Sequence, residues 1–428
     1  MRVFGLIWFG QLISLLGSGL TNFALGVWVY QKTGSVTQFA LISLFITLPF
    51  LLITPVAGTV VDRWNRRWVM LLSDSGAALA TVAIALLLIA GQLEIWHIYI
   101  ATSVSSIFGA FQQPAYIAAT TTLVPKKNLS RATGMIQLGE AISQLISPIL
   151  AGFLLLSLQL QGIILIDFAT FIFSVITLLL VNIPNIKTDD SEEKQAKVSF
   201  IKEATDGWNY LADRPGLMGL LVLFAIHNFL LGFVSVLVTP LVLSLGSSAD
   251  LGTVLSIGGI GMIFGSILIS TWGGPQRHIN GVFCFTLLSG LCILAAGLRA
   301  SIPVFAFVAF LFFFSLPIIR CSSQVIFQKK VPHDLQGRVF ALHGALIEAS
   351  MPISFVIAGP LADKLFEPLM AANGPLAQSI GRIIGVGTGR GISLMFVLLG
   401  FSMLLATTIA YQYPRLRKVE DELPDAVQ

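Results

Sequence analysis

A chain of 428 residues with 55% hydrophobic and only 11% charged content, and a mean hydropathy of +0.87, lies outside the range of soluble domains, where about a quarter of residues are charged. The net charge of +4 is small and dispersed, which argues against nucleic acid as a partner. What remains is a polytopic, all-α membrane protein, because backbone in lipid must satisfy its own hydrogen bonds within each segment.

Arg2 precedes an apolar run to Tyr30 that is too long for the core of a cleaved leader and lacks a small-residue cleavage site, so it reads as a retained first span near 4–30. Gln11, Ser14, Ser18 and Thr21 recur along it at spacings of three and four, a polar stripe that suits a cavity. The second and third spans, near 36–61 and 68–90, flank GTVVDRWNRR at 58–67. Asp62, Arg63, Arg66 and Arg67 cannot sit in lipid, so this is a tight hairpin turn, and its basic residues keep it cytoplasmic. Asp74, further into the third span, is expected to pair with the Arg66 and Arg67 turn.

In the fourth span, near 96–123, Ser105, Gly109, Gln112 and Tyr116 share a face. The fifth, near 132–156, carries Gln137, Glu140, Gln144 and Ser147 as one polar stripe. An ionisable group within a span costs about 2.5 to 3.5 kcal/mol on insertion scales, so Glu140 either faces a cavity or joins a hydrogen-bonded seam between helices. The sixth span, near 161–182, holds Asp167 towards its outer end, where a structural or interfacial role is expected.

A linker follows at 184–215 with a dense charge run, TDDSEEKQAK, which reads as solvated. Ile201, Ala204, Trp208 and Leu211 then recur at helical spacing opposite Lys202, Glu203, Asp206 and Asn209. This helix lies either on the membrane surface or as a cap on the bundle.

Six further spans fall near 217–243, 249–271, 279–298, 303–327, 338–361 and 390–412. The first of these carries Asn228, Gly232, Ser235 and Thr239 on one face. Arg320 either snorkels to the cytoplasm or binds an anionic part of a substrate. Glu348 is the second acidic candidate, and His227 and His343 read as hydrogen-bonding groups. The outer segment 362–390 is long enough to cover part of an outer mouth. Its GVGTGRG is no phosphate cradle, because no strand precedes it. Cys284, Cys292 and Cys321 lie in or near apolar runs, so neither a disulfide nor a metal site is expected.

Both termini are expected in the cytoplasm. That orientation leaves Lys32, Arg299, Lys364, Arg382 and Arg390 outside and Arg320 within a span, with the rest of the 25 Lys and Arg inside. The organisation is then a six-helix bundle at 1–183, the linker at 184–215, a second bundle at 216–413 and a tail at 414–428.

The bundles read as copies. VPKKNLSR at 124–131 aligns with VPHDLQGR at 331–338, and in the same register Ser147 falls on Ser354, Ala151 and Gly152 on Ala358 and Gly359, and Gly58 on Gly265. Around Gly265 the second copy has lost the charges. Twelve spans in two parallel six-helix repeats form a transporter architecture, with the pathway between the repeats.

GTVVDRWNRR, in the loop between the second and third spans, resembles the cytoplasmic signature of the major facilitator superfamily. The resemblance implies that Gly58, Asp62, Arg63, Arg66 and Arg67 form a cytoplasmic gate. Position 65 is Asn where many members have Gly. SPILAG at 147–152 is similar to the Gly-Pro-rich antiporter motif of the macrolide-efflux-like branch, which includes siderophore exporters, so Gly139, Ser147, Pro148 and Gly152 stand for that motif. Ser147 replaces the usual Gly, and the fourth span lacks the arginine that many drug antiporters place there.

The expectation is a secondary exporter of an amphipathic small molecule such as a drug, macrolide-like compound, siderophore or peptide metabolite, working by proton antiport in the cell membrane. Glu140 and Glu348 would carry protons, and Gln11, Ser18, Gln112, Gln137, Gln144, Asn228 and Arg320 would line the cavity. A monomer in the bilayer is expected, with substrate and protons as partners and no cofactor, metal or enzymatic activity. An importer or lipid flippase on the same fold is the alternative. A non-transporting sensor or an enzyme would need an output domain, a nucleotide motif or a nucleophile with its base, and none is encoded.

Overall fold

The computed structural model describes residues 2–125, 128–181, 207–299 and 301–422, and every regular element among them is helical. The long helices are α1 (Arg2–Thr33), α2 (Val36–Arg63), α3 (Arg66–Ile89), α4 (Ile95–Leu123), α5 (Leu129–Leu180), α6 (Pro215–Leu245), α7 (Ser248–Trp272), α8 (His278–Leu298), α9 (Ile302–Lys330), α10 (His333–Leu361) and α11 (Arg390–Gln412). Ten helices among the described residues are long and apolar enough to cross a membrane. α4 is not in that set, since Ser, Thr and Gln are spread along it. Outward-facing Leu79, Leu86, Ile89 and Leu180 are exposed, as suits a protein whose solvent is lipid.

The chain divides into two compact units, one of Met1–Asp189 with Gly246–Ser256, the other of Asp190–Leu245 with Ile257–Gln428. In the first, Leu20, Ile42, Ile84, Ile98 and Ile163 are buried in one core. In the second, Leu220, Phe224, Val282, Ile326 and Phe327 do the same.

α5 is 52 residues long and breaks at Gln159, where φ is 56° and ψ −171°. Contacts with α1 show that the two arms, 129–158 and 160–180, run antiparallel. Going up α1, Trp8 donates to the Met135 carbonyl (2.6 Å) and Ser147 to the Leu16 carbonyl (3.2 Å), while Gly10 abuts Thr177 and Gly17 abuts Asp167. One residue therefore makes the reversal. A left-handed backbone of this kind costs a non-glycine residue about 1 kcal/mol or more. Gln159→Gly is expected to raise the apparent melting temperature in detergent, by a few degrees for about 1 kcal/mol; a fall would show that the side chain holds the turn.

Short turns separate the other helices of the first unit. Ser35 caps α2 by accepting from the Gln38 N–H (3.3 Å), and Trp64 and Asn65 alone join α2 to α3. In the second unit the outer segment ends in Gly385, Gly387 and Gly389 at φ of 95°, 110° and 79°, so GVGTGRG supplies conformations that other residues adopt poorly. The Glu367 carboxylate accepts from the N–H groups of Gly389 and Ile392 (both 3.0 Å), capping α11.

The start of the expected tail is docked on the second unit. Leu416 and Val419 are buried, and the Glu420 carboxylate accepts from the N–H groups of His278 and Ile279 (3.2 and 2.8 Å) at the start of α8. Most of the linker helix lies outside the described residues. In its last turn Leu211 is buried and Tyr210 donates to the Lys330 carbonyl (2.8 Å), so this turn packs on the bundle as a cap.

Candidate functional site

The first unit encloses a cavity of about 120 Å³ bordered by Ser14, Ser18 and Thr21 of α1, Asp74 of α3, Ser105 of α4 and Asp167 of α5. Gln11, one face-turn below, ties the wall together. Its amide donates to Asp74 (3.0 Å) and to Ser174 (3.0 Å), and its carbonyl accepts from Gln112 of α4 (2.8 Å). Two turns along α1, Ser18 donates to Asp167 (3.3 Å). Seven residues of helix span about 10 Å, so the two carboxylates hang from one polar column at two heights.

One expectation is corrected here. Asp74 bonds to Gln11 across the bundle, while Arg67 donates to the Leu179 carbonyl (2.8 Å). Asp167, for which a structural or interfacial role is expected, is buried and faces the same cavity as Asp74. The signal was available, since both are lone acids at membrane depth. What the sequence lacked was which helices meet.

The fifth-span stripe divides. Ser147 is buried against α1, whereas Gln137, Glu140 and Gln144 are exposed and do not border this cavity. Glu140 lies near enough to Tyr116 of α4 for its charge to act on the phenol.

In the second unit a cavity of about 280 Å³ gathers Asn228 of α6, Arg320, Ser323 and Gln324 of α9, and His343 and Glu348 of α10, with Phe224, Phe327 and Phe340 among its walls. Arg320 and Glu348 are both exposed to it. His227 contacts the Met403 sulfur (3.3 Å), and Asn228 donates to the Phe224 carbonyl (3.0 Å), which fixes its amide. Further along that expected stripe, Gly232 receives Ser354 of α10 so closely that a Cβ would lie 1.8 Å from its hydroxyl oxygen, while Ser235 is exposed and donates to the Gly232 carbonyl (2.8 Å).

Of the gate residues, Gly58 is in α2 with open space where a Cβ would stand. The side chains of Asp62 and Arg63 lie outside the described residues. Asn65, the departure from the usual glycine, caps α3 by accepting from the Arg67 N–H (3.0 Å). The antiporter-like segment is a seam on both sides. Ser147 hydroxyl contacts Gly19, the Pro148 carbonyl meets Gly252 and Gly152 meets the Ser248 carbonyl, so a Cβ on either glycine would lie 2.5 Å from a backbone oxygen. Ser248 and Ser256 donate to the Gly152 and Leu145 carbonyls (both 3.1 Å). Gly139 is buried beside Trp8.

Among the described residues no group of three or more His, Cys, Asp or Glu could hold a metal ion. The arrangement offers two polar cavities within apolar helices, one with two carboxylates and one with a guanidinium and a carboxylate.

The profile described as Major Facilitator Superfamily matches residues 7–354. The chain is 29% identical over 365 residues to Macrolide efflux protein A of Streptococcus pyogenes, covering 84% of this chain and 89% of that one. It is 23% identical over 423 residues to Multidrug efflux pump Tap of Mycolicibacterium fortuitum, covering 97% and 96%. Its fold is similar to the inward-facing, unoccupied crystal structure of a bacterial homologue of the human lysosomal transporter Spinster, with a TM-score of 0.73 and 14% identity over 100% of this chain and 98% of that one.

Proposed function

The chain belongs to the major facilitator superfamily, and from that premise we propose that it is a secondary exporter, moving an amphipathic small molecule outward in exchange for protons by alternating access. Relatives named for macrolide and multidrug efflux support the direction of transport. The observation that carries the coupling is the column on α1, where Gln11 and Ser18 each hold a carboxylate against one cavity. A carboxylate at membrane depth with access to water can take a proton on one side and release it on the other.

In this reading both termini and the 58–67 turn are cytoplasmic, and Gly58, Asp62, Arg63, Arg66 and Arg67 form the gate there. Asp74 and Asp167 carry the exchanged proton, and Glu140 and Glu348 modulate it from exposed positions. The substrate occupies cavities whose polar contacts include Ser18, Asn228 and Arg320.

Everted membrane vesicles supplied with a radiolabelled macrolide test the reading. An acid interior should drive uptake and a protonophore should abolish it. Uptake indifferent to the gradient would sink antiport, and accumulation by right-side-out cells would favour the importer alternative. Glu140→Gln and Glu348→Gln are each expected to lower gradient-driven accumulation about two- to threefold, within the 0.5–2 kcal/mol that residues coupled to a site contribute. Full activity in both would confine coupling to Asp74 and Asp167.

A further inference from the structure

The second-unit cavity has a chemistry that the efflux reading leaves unspecified. Among the described residues neither Arg320 nor Glu348 has an ion-pair or hydrogen-bond partner, although both open onto the same 280 Å³ space. The Ser323 hydroxyl, itself 3% exposed, borders that space and is buried without a partner, and so is Nε2 of His343. These are donors and charges arranged around a space, with aromatic rings of Phe224, Phe327 and Phe340 completing the wall.

We infer that this cavity binds the charged end of a zwitterionic amphiphile, Arg320 taking its acidic group and Glu348 its amine. The inference rests on the reading of the chain as a small-molecule exporter and specifies the substrate class. Guanidinium suits a carboxylate because its planar fork can donate two parallel bonds, and Ser323 can add a third. The cavity is at the small end of organic-ligand sites, so it takes a head group while the apolar body rests on the rings. Charge balance favours a zwitterion over either ion alone. An anion would leave Glu348 uncompensated and a cation would leave Arg320 so, whereas a zwitterion neutralises both at membrane depth.

The test is fluorescence titration of the purified full-length protein with Nε-dansyl-lysine, its methyl ester and its Nα-acetyl derivative, which present both charges, the amine alone and the acid alone. The zwitterion is expected to bind at least about tenfold more tightly than either derivative, as charge-assisted hydrogen bonds imply. Arg320→Gln should weaken the zwitterion and the acetyl derivative about tenfold and the ester at most a few-fold. Glu348→Gln should reverse that selectivity. Arg320→Lys, which keeps the charge and loses the fork, should fall between.

Equal binding of the three probes by the wild type, no binding of any, or an Arg320→Gln variant that weakens all three alike would overturn the proposal. Size-exclusion elution of each variant separates loss of a contact from loss of fold. These constants are read without flux. A chain that fails to export can still show this selectivity, and an exporter that ignores ligand charge fails here alone.

Discussion

Asp74→Asn is expected to abolish gradient-driven accumulation. One pH unit is worth about 1.4 kcal/mol per proton, so exchange of one proton per substrate supports about tenfold accumulation for each unit of gradient. Asparagine keeps the size of the side chain, and its carbonyl can still accept from Gln11, which donates to Asp74 at 3.0 Å. It cannot carry a proton. Accumulation in everted vesicles should therefore fall to about unity, set only by the outward and inward concentrations, while downhill exchange of labelled for unlabelled substrate survives in part. Wild-type accumulation in Asp74→Asn would remove Asp74 from the coupling, and the same assay on Asp167→Asn would show whether the buried partner of Ser18 carries it instead.

The second large effect concerns stability. Gly261 and Gly265 of α7 lie against the backbone of α9, and a Cβ on either would stand 2.2 Å from the carbonyl oxygen of Phe310 or Phe314. This is a small-xxx-small crossing, in which two backbones approach because nothing lies between them. Gly265→Leu forces the helices apart. Overpacking of this kind costs about 3 kcal/mol, at the upper end of the usual range because the obstacle is backbone and cannot rotate away. The apparent melting temperature in detergent is expected to drop by about 10 °C, on a scale of 2–4 °C per kcal/mol for a unit of this size. Gly58→Ala gives the contrast: nothing lies within 4 Å of its added Cβ, and alanine is the better helix former by about 1 kcal/mol, so its melting temperature should hold or rise. A similar loss in both variants would contradict the assigned packing.

That contrast shows what a repeat can and cannot reveal. The alignment brings Gly58 to Gly265, but Gly58 lies in the last turns of α2 with open space beside it and Gly265 is pressed against α9. Ser147 and Ser354 behave in the opposite way. They occupy matching positions and do the same work, each seating a glycine of a neighbouring helix, Gly19 and Gly232.

Helical periodicity made the α1 stripe legible. Spacing places Gln11 and Ser18 on one face, and in the structure each donates to a carboxylate, while Gln112 of α4 donates to Gln11. Periodicity tells which side chains share a face of one helix. It does not tell which face of another helix lies opposite, so spacing points Asp74 to the nearby arginines when its partner is on α1. The same limit hid Glu367, whose cap on α11 depends on a fold-back of the outer segment. Glu140 and Glu348 read as acids within spans, but their different surroundings, Tyr116 for one and Arg320 with His343 for the other, are tertiary facts.

Because Gln159 alone reverses α5, the arms 129–158 and 160–180 have no charged residue at their junction. Read by hydropathy they form one continuous stretch, Arg131–Leu180. Only the polar Ser157, Gln159 and Gln161 mark where the first arm stops, so in the proposed orientation the direction of the hairpin rests on Arg131, at the head of the stretch, and the basic residues before it.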